Sequence, residues 1–365
     1  MDVQAHDYDD AIAAVCERLL AFLLVFEQLQ QEIDFRQPGL IQARLRAASE
    51  GLFPSLPADL AALPVPPAKQ AAHRQLQLAV DCWAQALAHF LDDNQAGFGL
   101  AFVTSRRLLC DGLLLAYAVR EHLPLLLPLW SGETALADIP RLDTRLPGVD
   151  VPLGIMHMPA SAAHGEYGLY VPENYTPSRH WPVIVCLHGA YGHGHEYLWT
   201  WLRVARSHGC VILAPKSRGQ TWSLTQPSVD IDSIQAMLAA LVARYQIDTR
   251  RIFLSGLSDG GSFAYVFGLS CPSLFAGVAP IAAVLHPAAD PLLRKKQGLE
   301  LPLFVVHGAQ DFIFDVRAVR SQVGLLEKLG YRITYTELPH WGHAYTNNIN
   351  QQLVWPWFAA LVEAS

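Results

Sequence analysis

Residues 251–261 read Arg-Ile-Phe-Leu-Ser-Gly-Leu-Ser-Asp-Gly-Gly, a short apolar run that stops at Gly256 and passes Ser258 as a helical stretch begins. A serine on so sharp a strand-to-helix turn holds a strained backbone, and the positions on either side must lack bulk because strand and helix crowd together there. Gly256 and Gly260 meet that demand. The amino end of the following helix, a candidate from Ser258 to Ser270, points its partial positive charge at the place where an oxyanion forms. Ser258 is therefore the candidate nucleophile. The bland alternative is a Gly-rich turn with a capping serine.

Working outward, short β-branched runs recur from about Leu146 onward, each followed by Gly, His or Pro and then a helical stretch. VDVPLGIMHM and GEYGLYVP read as an antiparallel hairpin. PVIVCLHG, CVILAP, RIFLSG, GVAPIAAV, PLFVVHG and YRITYTELP follow, with helix candidates at about 197–208, 230–245, 316–329 and 350–362. Apolar strands joined by crossover helices predict a mainly parallel sheet covered on both faces, with the chemistry on the loops beyond the strands' carboxyl ends. Residues 1–145 have another grammar. Ile12, Val15, Leu19, Phe22, Phe26 and Leu29 fall at helical spacing, and further helices are expected at about 67–91 and 99–122, separated by the Pro-rich stretch 54–67 and the DDNQAG turn. This predicts an all-helical domain of three to five helices over 1–145 and a catalytic domain over 146–365. The runs Leu19–Phe26 and Leu123–Trp130 are more apolar than one bundle face needs, which points to an interface: a cap over the substrate or a homodimer surface.

Composition excludes several classes. At 365 residues with 52% hydrophobic and 16% charged residues, the chain is core-rich rather than disordered. Its net charge of -7 argues against nucleic acid. The acidic excess sits in residues 1–150, with 11 Lys and Arg against 19 Asp and Glu. The 8-residue run Leu19–Phe26 falls far short of the roughly 20 residues that span a bilayer, so no integral membrane segment is expected. MDVQAHDYDD places four Asp where a secretory signal carries basic residues, and the six cysteines show no disulfide or CxxC spacing. The expected compartment is cytoplasmic, with reduced, structural thiols.

A serine hydroxyl needs a histidine to take its proton and a carboxylate to hold that histidine's tautomer. Where this elbow occurs, acid and then base follow the nucleophile along the chain. Asp311, three residues beyond the end of PLFVVHG, is the expected acid, with Asp315 second, its position that of a cap on the next helix. Only His340 and His343 follow, in LPHWGHAY; His343, deeper in the loop, is the chosen base. The oxyanion hole needs only backbone N–H groups: one from Asp259, the other from Ala190 or Tyr191 in the loop after PVIVCLHG. Tyr191, Trp222 and Arg218 are candidate pocket residues, with Lys216 beside them in APKSRGQTWS; a solvated basic face is the rival reading of the pair. His193-x-His195-Glu196 invites a metal reading, but no helical His pair or third ligand supports it, so neither metal nor cofactor is expected.

VIVCLHG, APKSRGQTW, VDIDSIQAML, RIFLSGLSDGG, VVHGAQD and WGHAY, in this order over residues 147–365, resemble the serine esterases of the α/β-hydrolase superfamily, in the phospholipase/carboxylesterase-like branch. The resemblance implies an α/β-hydrolase fold with a mainly parallel central sheet, to which the all-helical domain is an addition. It also implies cofactor-free hydrolysis of a small carboxylic ester or thioester through an acyl-enzyme on Ser258, with Asp311 and His343 as acid and base. Many relatives carry Met or another neutral residue after the serine, where this chain has Asp259. Two rivals remain: a peptidase or amidase with the same triad, and a binding or scaffold protein with a vestigial hydrolase domain.

Overall fold

The computed structural model describes residues 3–53, 55–92, 97–132 and 139–363. β1 (Gly154–Met158) and β2 (Tyr167–Val171) form the expected antiparallel hairpin, with Gly154 opposite Val171 and Met158 opposite Tyr167. It leads into β3 (Trp181–Leu187), β4 (Val211–Pro215), β5 (Ile247–Leu257), β6 (Gly277–Ile281), β7 (Leu303–Gly308) and β8 (Ile333–Leu338). Together they make one sheet in the order β1-β2-β4-β3-β5-β6-β7-β8, parallel from β4 through β8 and antiparallel at the β1-β2-β4 edge. Every residue of β3, β4, β6 and β7 is buried, as strands covered on both faces require, whereas β8 closes the edge half-exposed.

Two compact units divide the chain, Met1–Leu136 and Ala137–Ser365. In the first, α1 (Val3–Gln31), α2 (Pro38–Ser49), α3 (Leu56–Ala62), α4 (Gln70–Leu91) and α5 (Phe98–Tyr117) make up the α-helices of the described residues. α3 lies inside the stretch expected to be only a Pro-rich separator. Pro57 sits in its first turn, where a missing N–H costs nothing, and Leu56 and Leu60 bury one face. α5 stops at Tyr117 rather than near His122: Val119 leaves helical geometry, with φ -122° and ψ 23°, and the chain tightens into 3-10 turns at Arg120–His122 and Pro124–Leu129. The DDNQAG turn falls, at residues 93–96, outside the described residues. The surplus apolar runs find partners close by: Phe22 packs edge-on to Phe53, Phe26 to Phe90 and Trp130 to Tyr117, while Leu19, Leu126 and Trp130 are fully buried. Those runs are thus largely spent inside the helical unit, with Leu24 and Leu125 left at its surface.

The second unit opens with α6 (Ile139–Asp143), ahead of the expected change near 145. The reason is a buried cation. Arg206, on α8 (Trp199–His208), has a fully buried side chain and bonds Glu173 at 2.9 Å and Asp143 at 3.1 Å, which ties α6 to the sheet. The remaining helices are α7 (Gly194–Tyr197), α9 (Ser228–Arg244), α10 (Asp259–Ser270), α11 (Asp290–Arg294), α12 (Val316–Leu329), α13 (Asn347–Ile349) and α14 (Trp355–Glu363), the last two joined by a π-helical segment. α10 is buried from Gly260 to Leu269, a helix apolar on all sides. Among the described residues no helix is long and apolar enough to cross a membrane.

Candidate active site

β5 ends at Leu257 and α10 begins at Asp259, so Ser258 is the single hinge between them, with φ 58° and ψ -123°. Such a backbone costs on the order of 1–3 kcal/mol and persists only where its surroundings enforce it. Here the Ser258 N–H donates to the Ile281 carbonyl on β6 at 3.0 Å, and the Ser258 carbonyl accepts from Ser262 at 2.9 Å. The glycines make room. A Cβ on Gly256 would lie 2.3 Å from the Gly260 carbonyl oxygen, and one on Gly260 would lie 2.4 Å from that of His188. Both obstacles are backbone. Gly260→Ala should therefore lower stability by about 2–3 kcal/mol, the upper range for overpacking, and the melting temperature by roughly 5–10 °C. An unchanged melting curve would show that β3 and α10 can part without cost.

Asp311 and His343 converge on Ser258. His343 Nδ1 lies 2.8 Å from Asp311 Oδ2, and His343 Nε2 lies 2.8 Å from Ser258 Oγ. Asp311 Oδ1 accepts from the Ile313 and Phe314 N–H groups at 2.8 and 2.9 Å. Burial pushes this carboxyl toward the neutral acid, but the His343 hydrogen bond and charge and the Phe314 N–H outweigh it and hold it below the usual carboxylate range. An ionised carboxylate can only accept, so Nδ1 carries the imidazole proton and bare Nε2 accepts from the serine hydroxyl. Asp315 is elsewhere: it caps α12, accepting from the Arg317 N–H at 2.8 Å. His340 is exposed. Gly308 lets the two loops meet, since a Cβ there would lie 2.1 Å from the Trp341 carbonyl oxygen.

The loop after β3 is held by contacts that the sequence reading did not foresee. His188 is buried, and its Nε2 accepts from the Ser217 N–H at 3.2 Å, so the proton sits on Nδ1 and is donated to the Gly189 carbonyl at 2.6 Å. Burial drives its pKa down to about 3, so it stays neutral. Trp222, expected in the pocket wall, is instead 2% exposed: its indole N–H donates to the His188 carbonyl at 2.7 Å and its ring stacks on Phe263. Arg218 is exposed, and its backbone N–H, like that of Ser223, donates to buried Asp230. Lys216 Nζ turns back onto Ser217 and Gly219. Tyr191 is 67% exposed beside the site. Its N–H donates to the Gln220 carbonyl at 3.0 Å, which removes it as an oxyanion donor. The N–H groups of Ala190 and Asp259 have no backbone acceptor among the described residues. His188, just after β3, and His307, at the end of β7, each precede a glycine, a repeated His-Gly pair that could have drawn attention to both. Buried His307 Nε2 donates to the Phe314 carbonyl at 2.9 Å and so fixes the turn that binds Asp311.

The metal reading is not assembled. His193 Nε2 lies 3.0 Å from Glu166 Oε1, and its ring packs on His195, which in turn packs on His157. Among the described residues no three His, Cys, Asp or Glu side chains form a group able to hold a metal ion.

Residues 224–354 match the family model described as Phospholipase/Carboxylesterase. A bifunctional acetylxylan esterase/xylanase of Neocallimastix patriciarum is 28% identical over 162 residues, 42% of this chain and 22% of that protein. Acyl-protein thioesterase 1 of Neurospora crassa is 22% identical over 200 residues, 46% of this chain and 82% of that protein. A poly(3-hydroxybutyrate) depolymerase of Ralstonia pickettii is 28% identical over 127 residues, 28% of this chain and 25% of that protein. The chain thus spans about a quarter or less of the first and last of these relatives and most of the second. The S-formylglutathione hydrolase of Staphylococcus aureus superposes with a TM-score of 0.47 and 16% identity over 58% of this chain and 99% of that one. The sheet order, the elbow at Ser258 and the match over residues 224–354 together give this chain an α/β-hydrolase fold that resembles, over that stretch, the phospholipase/carboxylesterase family.

Proposed function

We propose that the protein hydrolyses carboxylic esters or thioesters through an acyl-enzyme on Ser258, with His343 as general base and then acid and Asp311 as its orienting carboxylate. The observation that carries this reading is the unbroken Asp311–His343–Ser258 hydrogen-bond chain, 2.8 Å at both links, ending on a serine with φ 58°. In this mechanism the serine proton passes to His343 Nε2 as Oγ attacks the carbonyl carbon. The oxyanion that forms is met by the Ala190 and Asp259 N–H groups. His343 returns the proton to the leaving group, and a water deprotonated by the same nitrogen then releases the acid. Ionised Asp311 stabilises the imidazolium in both halves.

The reading is tested with 4-nitrophenyl esters of graded acyl length beside aminoacyl naphthylamides, with and without EDTA. The expected outcome is ester turnover that exceeds amide turnover and is unchanged by the chelator, since no step needs a Lewis acid. Faster amide turnover would move the protein to the peptidases; loss on chelation with recovery on adding zinc would bring back the histidine loop as a metal site. A cytoplasmic location is supported by the six cysteines, all free.

A further inference from the structure

We infer that the Asp259 carboxylate selects esters or thioesters bearing a cationic group, such as an ammonium, within a few atoms of the scissile carbonyl; this rests on Ser258 being the nucleophile. Asp259 adjoins that serine at the first position of α10, partly exposed at the site, and its own N–H is one of the two proposed oxyanion donors. Its side chain is not loose. Oδ2 accepts from Thr221 Oγ1 at 2.7 Å, and Thr221 lies between Gln220 and Trp222, which are fastened to the Tyr191 N–H and the His188 carbonyl. The carboxylate is therefore fixed on the side facing the loop after β4. No Lys, Arg or His nitrogen pairs with it among the described residues: Lys216 is spent on its own loop, and Arg218 is exposed.

A fixed anion with no cation beside it opposes the negative charge that gathers on the carbonyl oxygen during attack, and the penalty is larger where water is excluded. For a neutral ester Asp259 is thus a handicap, and for an anionic ester a greater one. A substrate that carries its own cation reverses the sign. The cation pairs with the carboxylate, which no longer opposes the oxyanion, and the pairing adds binding. The oriented acceptor, the missing counter-ion and the position next to the nucleophile together point to discrimination by charge rather than to a structural ion pair.

The probes are acetylthiocholine and its neutral isostere 3,3-dimethylbutyl thioacetate, compared by kcat/KM in the full-length protein. The wild type should favour the cation by about tenfold, and the preference should shrink as salt is raised. Asp259→Asn keeps the backbone donor and an acceptor for Thr221, so the ratio should fall to near one with kcat/KM rising for the neutral ester. Thr221→Val, which releases the carboxylate, should reduce the ratio in part. Fluorophosphonate labelling of Ser258 monitors the intact site in each protein. Equal turnover of the two thioesters by the wild type, an unchanged ratio in Asp259→Asn, or an equal loss on both substrates overturns the inference. So does labelling of Ser258 with neither thioester turned over. Absence of both labelling and turnover in the wild type overturns the esterase reading itself.

Discussion

Ser258→Ala is expected to lose all labelling by a fluorophosphonate probe and to lower ester turnover by about three orders of magnitude or more, the scale seen when a triad nucleophile is removed. In the proposed mechanism the N–H groups of Ala190 and Asp259 remain to meet the oxyanion, so a small residual rate through water should persist. The neighbouring serines cannot substitute. Ser255 Oγ donates to the Ala279 carbonyl at 3.1 Å inside the sheet, and Ser262 Oγ accepts from the Val284 N–H at 3.2 Å. Neither lies at the turn that lifts a side chain out of the strand. The substitution itself should fold, since alanine removes one oxygen and leaves the backbone bonds to Ile281 and Ser262 in place. Undiminished labelling of the variant would assign the nucleophile to another serine and take the proposed mechanism with it.

His343→Ala should lose activity almost as completely, because in the proposed mechanism the three groups act as a unit and a serine without its base is a neutral alcohol. His340→Ala should keep most of it. The contrast follows from position: His343 bridges Ser258 and Asp311, while His340, three residues earlier, is exposed to solvent. Measuring kcat/KM for both variants on one ester checks this, with circular dichroism to establish that each is folded. Retention of activity in His343→Ala with loss in His340→Ala would transfer the role of base.

What could be read from the sequence divides along a physical line. Ser258 was legible because the elbow imposes a local demand, small residues on both sides of a turn, that is written in consecutive letters. The succession of strands along the chain and the choice of Asp311 over Asp315 followed from where apolar runs end. His343 needed only elimination within one loop. What could not be read are contacts across the fold. Trp222 stood in a loop at the right edge of the sheet, yet its indole packs inward on Phe263, because a large aromatic with a hydrogen-bond partner below it gains more from burial than from lining a rim. Tyr191 and Ala190 were indistinguishable until the Gln220 carbonyl claimed one N–H. The helical unit offered no fixed-spacing motif, so α3 hid among prolines, and the apolar runs looked unsatisfied until Phe53, Phe90 and Tyr117 were seen beside them.

The buried Arg206 decides where this protein can be cut. A fragment that begins at residue 147, where the strand-rich grammar starts, discards Asp143 and leaves the guanidinium with the Glu173 carboxylate as its remaining acidic partner of the two. Removing one member of a fully buried cluster costs about 3–5 kcal/mol, an upper bound here because Asp143 is 25% exposed. A fragment that begins at residue 137 retains both acids and should be the more stable of the two by a margin of that order. Insolubility of the shorter piece would then report a severed ion pair rather than any service performed by the helices upstream.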